Sequence, residues 1–145
     1  MCKEVKSIVL LFPVLIVVLI AASCTQYKSN GERIYFTSTS SSGKPIISQG
    51  FSMMQGNIAC ANCHGADGRG GNVRLMMTSF EAPNITWPVL TGNYEDHAPY
   101  TEATLKDAIT RGVDPGGKEL EIYMPRWQIS DEDLNDLISF LKTLR

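Results

Sequence analysis

The segment Cys60-Ala61-Asn62-Cys63-His64 constrains the rest of the chain more than any other stretch. Two thiols separated by two residues, with an imidazole directly after the second, match what covalent attachment of a haem requires. Each thiol adds across one vinyl group and the adjacent imidazole binds the iron. The five residues must close into about one helical turn, which brings both sulfurs to one porphyrin edge and sets His64 under its centre. Structural zinc would need four protein ligands, and the remaining candidates are only Cys2, Cys24 and His97. A dithiol redox pair would sit in a βαβ context that this sequence lacks.

The start of the chain agrees with this reading. Lys3 and Lys6 precede an apolar run from Ile8 to Ala22 that reaches only about 22 Å as a helix, short of the ~30 Å hydrocarbon core. A basic start, a short apolar middle and the small residues Ala21-Ala22-Ser23 read as a secretory signal over residues 1–23. Cys24 follows, as in a bacterial lipoprotein signal whose cysteine is lipidated, although Ala21 stands where that pattern usually carries Leu. Residues 24–32 are then a polar tether, and 33–145 the folded domain. Lipidation, simple cleavage and an uncleaved anchor all place the domain outside the cytoplasm, on the periplasmic side. Membrane attachment runs through the lipid or the anchor. The formal charge of −2 is spread without a basic stripe, so no nucleic-acid partner is expected.

Along the domain, Ile34-Tyr35-Phe36 is an apolar segment pinned on the core, and Thr37 to Gly43 is a Ser/Thr loop with little to bury. The glycines between Gly65 and Gly71 suit a loop passing close to a haem edge and lack the Lys-Ser/Thr ending of a phosphate loop. Pro83 to Leu90 is extended and proline-bounded. A ligating histidine needs its second ring nitrogen held by an acceptor, and the Pro83 carbonyl is the first candidate, Pro88 the second. Trp87 reads as a packing residue. Thr101 to Arg111 forms a helix, capped by Thr101 and closed by Gly112. A second helix starts at the Ser130 cap and carries Leu134, Leu137, Ile138, Leu141 and Leu144 on one face. No alternating strand pattern of useful length is present.

A low-spin iron needs a sixth ligand, and a methionine thioether favours the ferrous state. Met53, Met54, Met76 and Met77 stand in pairs that read as core filler. Met124 stands apart in Tyr123-Met124-Pro125-Arg126-Trp127, on an irregular stretch between two helices that Pro125 stiffens. His97 is the other candidate, with a solvated loop histidine as its plainer reading.

From Gly31, and most clearly from Ala59 to the end, the chain resembles a bacterial class I monohaem cytochrome c. The likeness is carried by Cys60 to Gly65, by Met124-Pro125 with Trp127 behind, and by the short terminal helix with its acidic start. It implies an all-α fold, about three core helices around one covalently attached haem c and its iron, with long irregular loops. It also implies Cys60 and Cys63 as attachment points, His64 as proximal and Met124 as distal ligand. Pro83, Trp87, Arg126 and Trp127 are the expected haem surroundings. The first helix departs from the pattern, lying either displaced upstream at Ile34 to Phe36 or at about Ser48 to Gln55.

The expected role is single-electron transfer between a redox protein donor and acceptor, without catalytic residues. Two other roles stay open: a fixed haem subunit of a larger oxidoreductase, and a haem enzyme or gas sensor with an open iron site.

Overall fold

The computed structural model describes residues 26–50, 57–75, 78–93 and 97–145. The leader, Cys24 and the methionine pairs Met53/Met54 and Met76/Met77 lie outside the described residues. Among the described residues, nine short elements run in the order α1 (Asn30–Thr37), β1 (Ile47–Gln49), α2 (Ala61–His64), β2 (Gly71–Arg74), β3 (Ser79–Ala82), α3 (Trp87–Thr91), α4 (Glu102–Arg111), β4 (Arg126–Gln128) and α5 (Asp131–Leu141).

The three longer helices start where the sequence offers a cap. Ser29 Oγ accepts from the Glu32 amide, Thr101 and Thr104 form a reciprocal capping box, and Ser130 Oγ accepts from the Asp133 amide. Gly112, at φ 69°, ends α4 in the left-handed conformation that glycine adopts without a Cβ penalty. Asn30, Gly31 and Glu32, at the end of the stretch read as tether, are helical here. Gly31 sits so close to the Asp136 backbone that a Cβ would run into it. Asn30 Nδ2 also donates to Asp133 at 2.9 Å and Asp136 at 2.7 Å, fastening α1 to α5. Of the two positions open for the first helix, the upstream one is realised; Ser48 and Gln49 are strand, and 51–55 lie outside the described residues.

The all-α expectation is overturned. Alongside five helices the chain forms two separate two-stranded antiparallel sheets, β1 with β4 and β2 with β3. Ser48 pairs with Trp127, and Val73 with Phe80. These strands hold three or four residues each, too few for a period-two pattern to emerge, and β1 inverts the usual alternation. Its inward residue is Ser48, at 1 % exposure, while Ile47 is 50 % exposed. The Ser/Thr run also buries more than its composition suggests. Ser38 and Ser40 are buried, Ser38 Oγ donates to the Ile46 carbonyl at 2.8 Å, and Thr39 bridges to Pro45. A hydroxyl that finds a carbonyl can be buried without the usual desolvation cost.

The core gathers Ile34 and Tyr35 of α1, Leu90 of α3, Leu105 and Ile109 of α4, and Leu134, Leu137, Ile138 and Leu141 of α5. Phe140 meets the Tyr35 ring at 5.1 Å. Leu144 stays buried beyond the end of α5, and its carbonyl accepts from the Trp87 amide at 3.1 Å. One side of this core is left as the wall of a cavity.

Candidate functional site

Residues 60–64 form the one-turn helix expected of them. The His64 amide donates to the Cys60 carbonyl at 2.9 Å, and Asn62 Oδ1 accepts from the Ala59 amide at 2.9 Å, closing the turn from its open end. Gly65 then leaves the helix at φ 75°. The Gly65 carbonyl accepts from the Tyr35 hydroxyl at 2.6 Å, which seats the motif against α1. Both cysteines are free thiols, half-buried and facing one cavity. Burial pushes the Cys60 thiol up to about 12 and raises that of Cys63, so both stay neutral against the apolar wall.

His64 is buried, and its Nδ1 lies 2.9 Å from the Pro83 carbonyl. A carbonyl only accepts, so the proton resides on Nδ1 and Nε2 keeps its lone pair. Burial lowers the imidazole pKa and the Pro83 carbonyl partly offsets this, with the neutral ring favoured overall. The Pro83 carbonyl is held from behind. Gly70, at φ 72°, leaves no room for a Cβ beside the Ala82 and Pro83 carbonyls, and its amide donates to the His64 carbonyl at 2.9 Å. The Ile85 amide donates to the Gly68 carbonyl at 2.7 Å. The glycine loop therefore backs the segment that orients His64, and residues 65–71 are not among those that line the cavity.

Met124 is half-buried and lines the same cavity, with Pro125 next to it. Its amide donates to the Glu121 carbonyl at 3.0 Å. Trp127, buried in β4, contributes to the wall and donates from Nε1 to the Ile58 carbonyl at 3.0 Å, tying the strand to the residues before the motif. Pro83 is also on the wall, whereas Trp87 and Arg126 are not. Trp87 packs against the core, with Lys142 Nζ 5.6 Å above its ring. His97 reaches the wall beside Tyr100, ring centroids 5.4 Å apart, with Nδ1 2.9 Å from the Ala98 carbonyl.

Most of the remaining wall comes from residues whose role the sequence left unread. Leu105, Ala108 and Ile109 form the buried face of α4, and that face looks onto the cavity. Phe80 of β3 and Tyr123 stack across the cavity's edge, with centroids 4.7 Å apart and planes within 4°. Nothing at the sequence level pairs residues so far apart in the chain.

The cavity leaves about 220 Å³ for the centres of water-sized molecules. One such molecule needs roughly 10–15 Å³ by that measure, so the space is large enough for a sizeable organic group. No group of three or more His, Cys, Asp or Glu side chains that could hold a bare metal ion occurs among the described residues. Two neutral thiols, a neutral imidazole with a free lone pair and a thioether on one apolar wall are the donor set for covalently held haem. The family model described as Cytochrome c matches residues 29–145.

The chain belongs to the cytochrome c family. Its cofactor is accordingly haem c with its iron, and Cys60 and Cys63 fit the attachment pattern of that family. No curated protein and no solved structure matches this cytochrome significantly.

Proposed function

We propose that this cytochrome passes single electrons and that His64 and Met124 would ligate the haem iron. Family membership supports electron transfer in general terms. The observation that carries the axial assignment is that a neutral His64, oriented by the Pro83 carbonyl, and Met124 line one apolar cavity. The bound haem supplies an iron that changes oxidation state by one electron. The chain does the rest. Cys60 and Cys63 would hold the porphyrin by thioether bonds, and the hydrogen bond to Pro83 raises the basicity of His64 and fixes its plane. The Met124 thioether, a soft donor, favours the reduced state. Leu105, Ile109, Leu137 and Leu141 line the cavity and would keep water from a bound ring.

The basic and apolar start of the chain followed by Cys24 supports a lipid-anchored protein on the periplasmic side, where it would exchange electrons with redox proteins at the membrane. The axial assignment is tested by optical spectra of the haem-loaded protein and of Met124→Ala. The oxidised wild type should show the weak red band of sulfur-to-iron charge transfer, and the variant should lose it. A high-spin wild type that binds carbon monoxide readily would instead make the iron an open site and sink the carrier reading.

A further inference from the structure

The geometry points to Arg126 as a positioning residue: its guanidinium clamps the loop between α4 and β4 and thereby holds Met124 at the cavity wall. This inference rests on the axial reading above. Arg126 Nη1 donates to the carbonyl of Met124 itself. Its Nη2 donates to the Leu120 carbonyl at 3.0 Å and reaches the Gly112 carbonyl at a longer 3.5 Å. Three carbonyls from the two ends of one loop thus converge on one planar fork. No ion pair to a carboxylate engages Arg126 among the described residues.

The seat for the guanidinium is built into the loop's first residue. Gly112 takes φ 69°, and a Cβ there would run into the Arg126 guanidinium. Glycine at this position therefore serves two ends: it closes α4, and it lets the cation lie flat on the backbone. The loop is otherwise fastened by backbone bonds, Leu120 N to Gly112 O at 2.8 Å and Met124 N to Glu121 O at 3.0 Å. Exposed Ile122 and half-buried Tyr123 separate Glu121 from Met124. Without the fork, Met124 would depend on that single turn and on Pro125. Five fixed donors suit arginine for this task, whereas lysine offers a point charge that cannot span the same carbonyls.

The test uses haem-loaded protein carrying Arg126→Gln or Arg126→Lys, with Ser130→Ala as a remote destabilising control at the α5 cap. Imidazole added to the ferric protein reads how easily Met124 is displaced, and amide hydrogen exchange over residues 120–124 reads the loop directly. Each lost bond from a charged donor to a carbonyl corresponds to about a tenfold or larger change in an equilibrium. Both Arg126 variants should therefore bind imidazole at least about tenfold more tightly than the wild type and exchange faster over 120–124, while Ser130→Ala does neither. Affinity within about twofold of wild type, or full retention of wild-type behaviour by Arg126→Lys, overturns the clamp. If Met124→Ala binds imidazole as the wild type does, it is the axial reading that fails. Amide exchange then still decides whether Arg126 holds the loop.

Discussion

Gly70→Ala is the substitution that probes the support of His64 most directly. At φ 72°, a residue with a Cβ pays roughly 1–2 kcal/mol for the left-handed conformation. The new methyl would also run into the Ala82 and Pro83 carbonyls, so the backbone that accepts from His64 Nδ1 must move. Losing that bond from a buried ring nitrogen costs about 1–3 kcal/mol more. The sum, about 2–5 kcal/mol, is a large share of a typical stability of about 5–15 kcal/mol. Gly117→Ala supplies the control. Gly117 has a similar φ of 84° with nothing within 4 Å of the added atom, so it should pay the conformational part alone. Denaturant unfolding of the two haem-loaded variants separates the parts. A redox titration adds a second readout, because a weaker hydrogen bond makes His64 a poorer donor and should raise the potential in Gly70→Ala only. Equal destabilisation by the two variants, with equal potentials, would refute the argument that Gly70 positions the Pro83 carbonyl.

Tyr35→Phe removes the hydroxyl that donates to the Gly65 carbonyl and should cost about 1 kcal/mol at neutral pH by denaturant unfolding. Burial raises the Tyr35 pKa above its ordinary value, so the folded state favours the protonated hydroxyl. Its contribution is whole below the unfolded value of about 10 and is lost as pH rises beyond it. The wild type should therefore lose stability more steeply than the Phe variant above pH ~10. Glu102 is held below the ordinary carboxylate value by its hydrogen bond to Lys142 and then by that residue's charge. That support is present above the unfolded value and fades as pH falls through the lowered one. Glu102→Gln should accordingly lower stability only slightly at neutral pH and converge with the wild type in acid, with a smaller difference still in high salt, because the pair is exposed. Leu137→Ala, in a residue 2 % exposed that reaches both core and cavity, should cost about 2–5 kcal/mol by thermal unfolding.

What could be read from the sequence depended on whether the signal was local. The bounds of α4 and α5 follow from Thr101, Gly112 and Ser130, residues that act within a turn of themselves. The haem motif is local in the same sense, and Pro83 could be singled out because proline keeps its neighbourhood extended. The stretch read as extended to Leu90 nevertheless turns helical in α3, where Pro88 sits in the first turn and needs no amide partner. The two small sheets were invisible. β1 finds its partner in β4 almost at the other end of the domain, and its inward side chain is a serine. The Phe80–Tyr123 stack and the Arg126 fork are likewise products of tertiary approach. The glycine loop was recognised as special for a backbone reason. Its need for close approach is to the Pro83 segment, one layer behind the cavity.

The pairing of α1 with α5, and of β1 with β4, also orders events during synthesis. The first elements of the domain have their main partners among its last twenty residues, so they cannot be sequestered until the whole chain is available. Closing such long loops comes late in folding, because their entropy must be met before the contacts repay it. The Cys60 to His64 segment is made midway through this wait. A chain emerging from its N-terminus therefore presents Cys60 and Cys63 before the wall residues of α4, β4 and α5 exist to cover them.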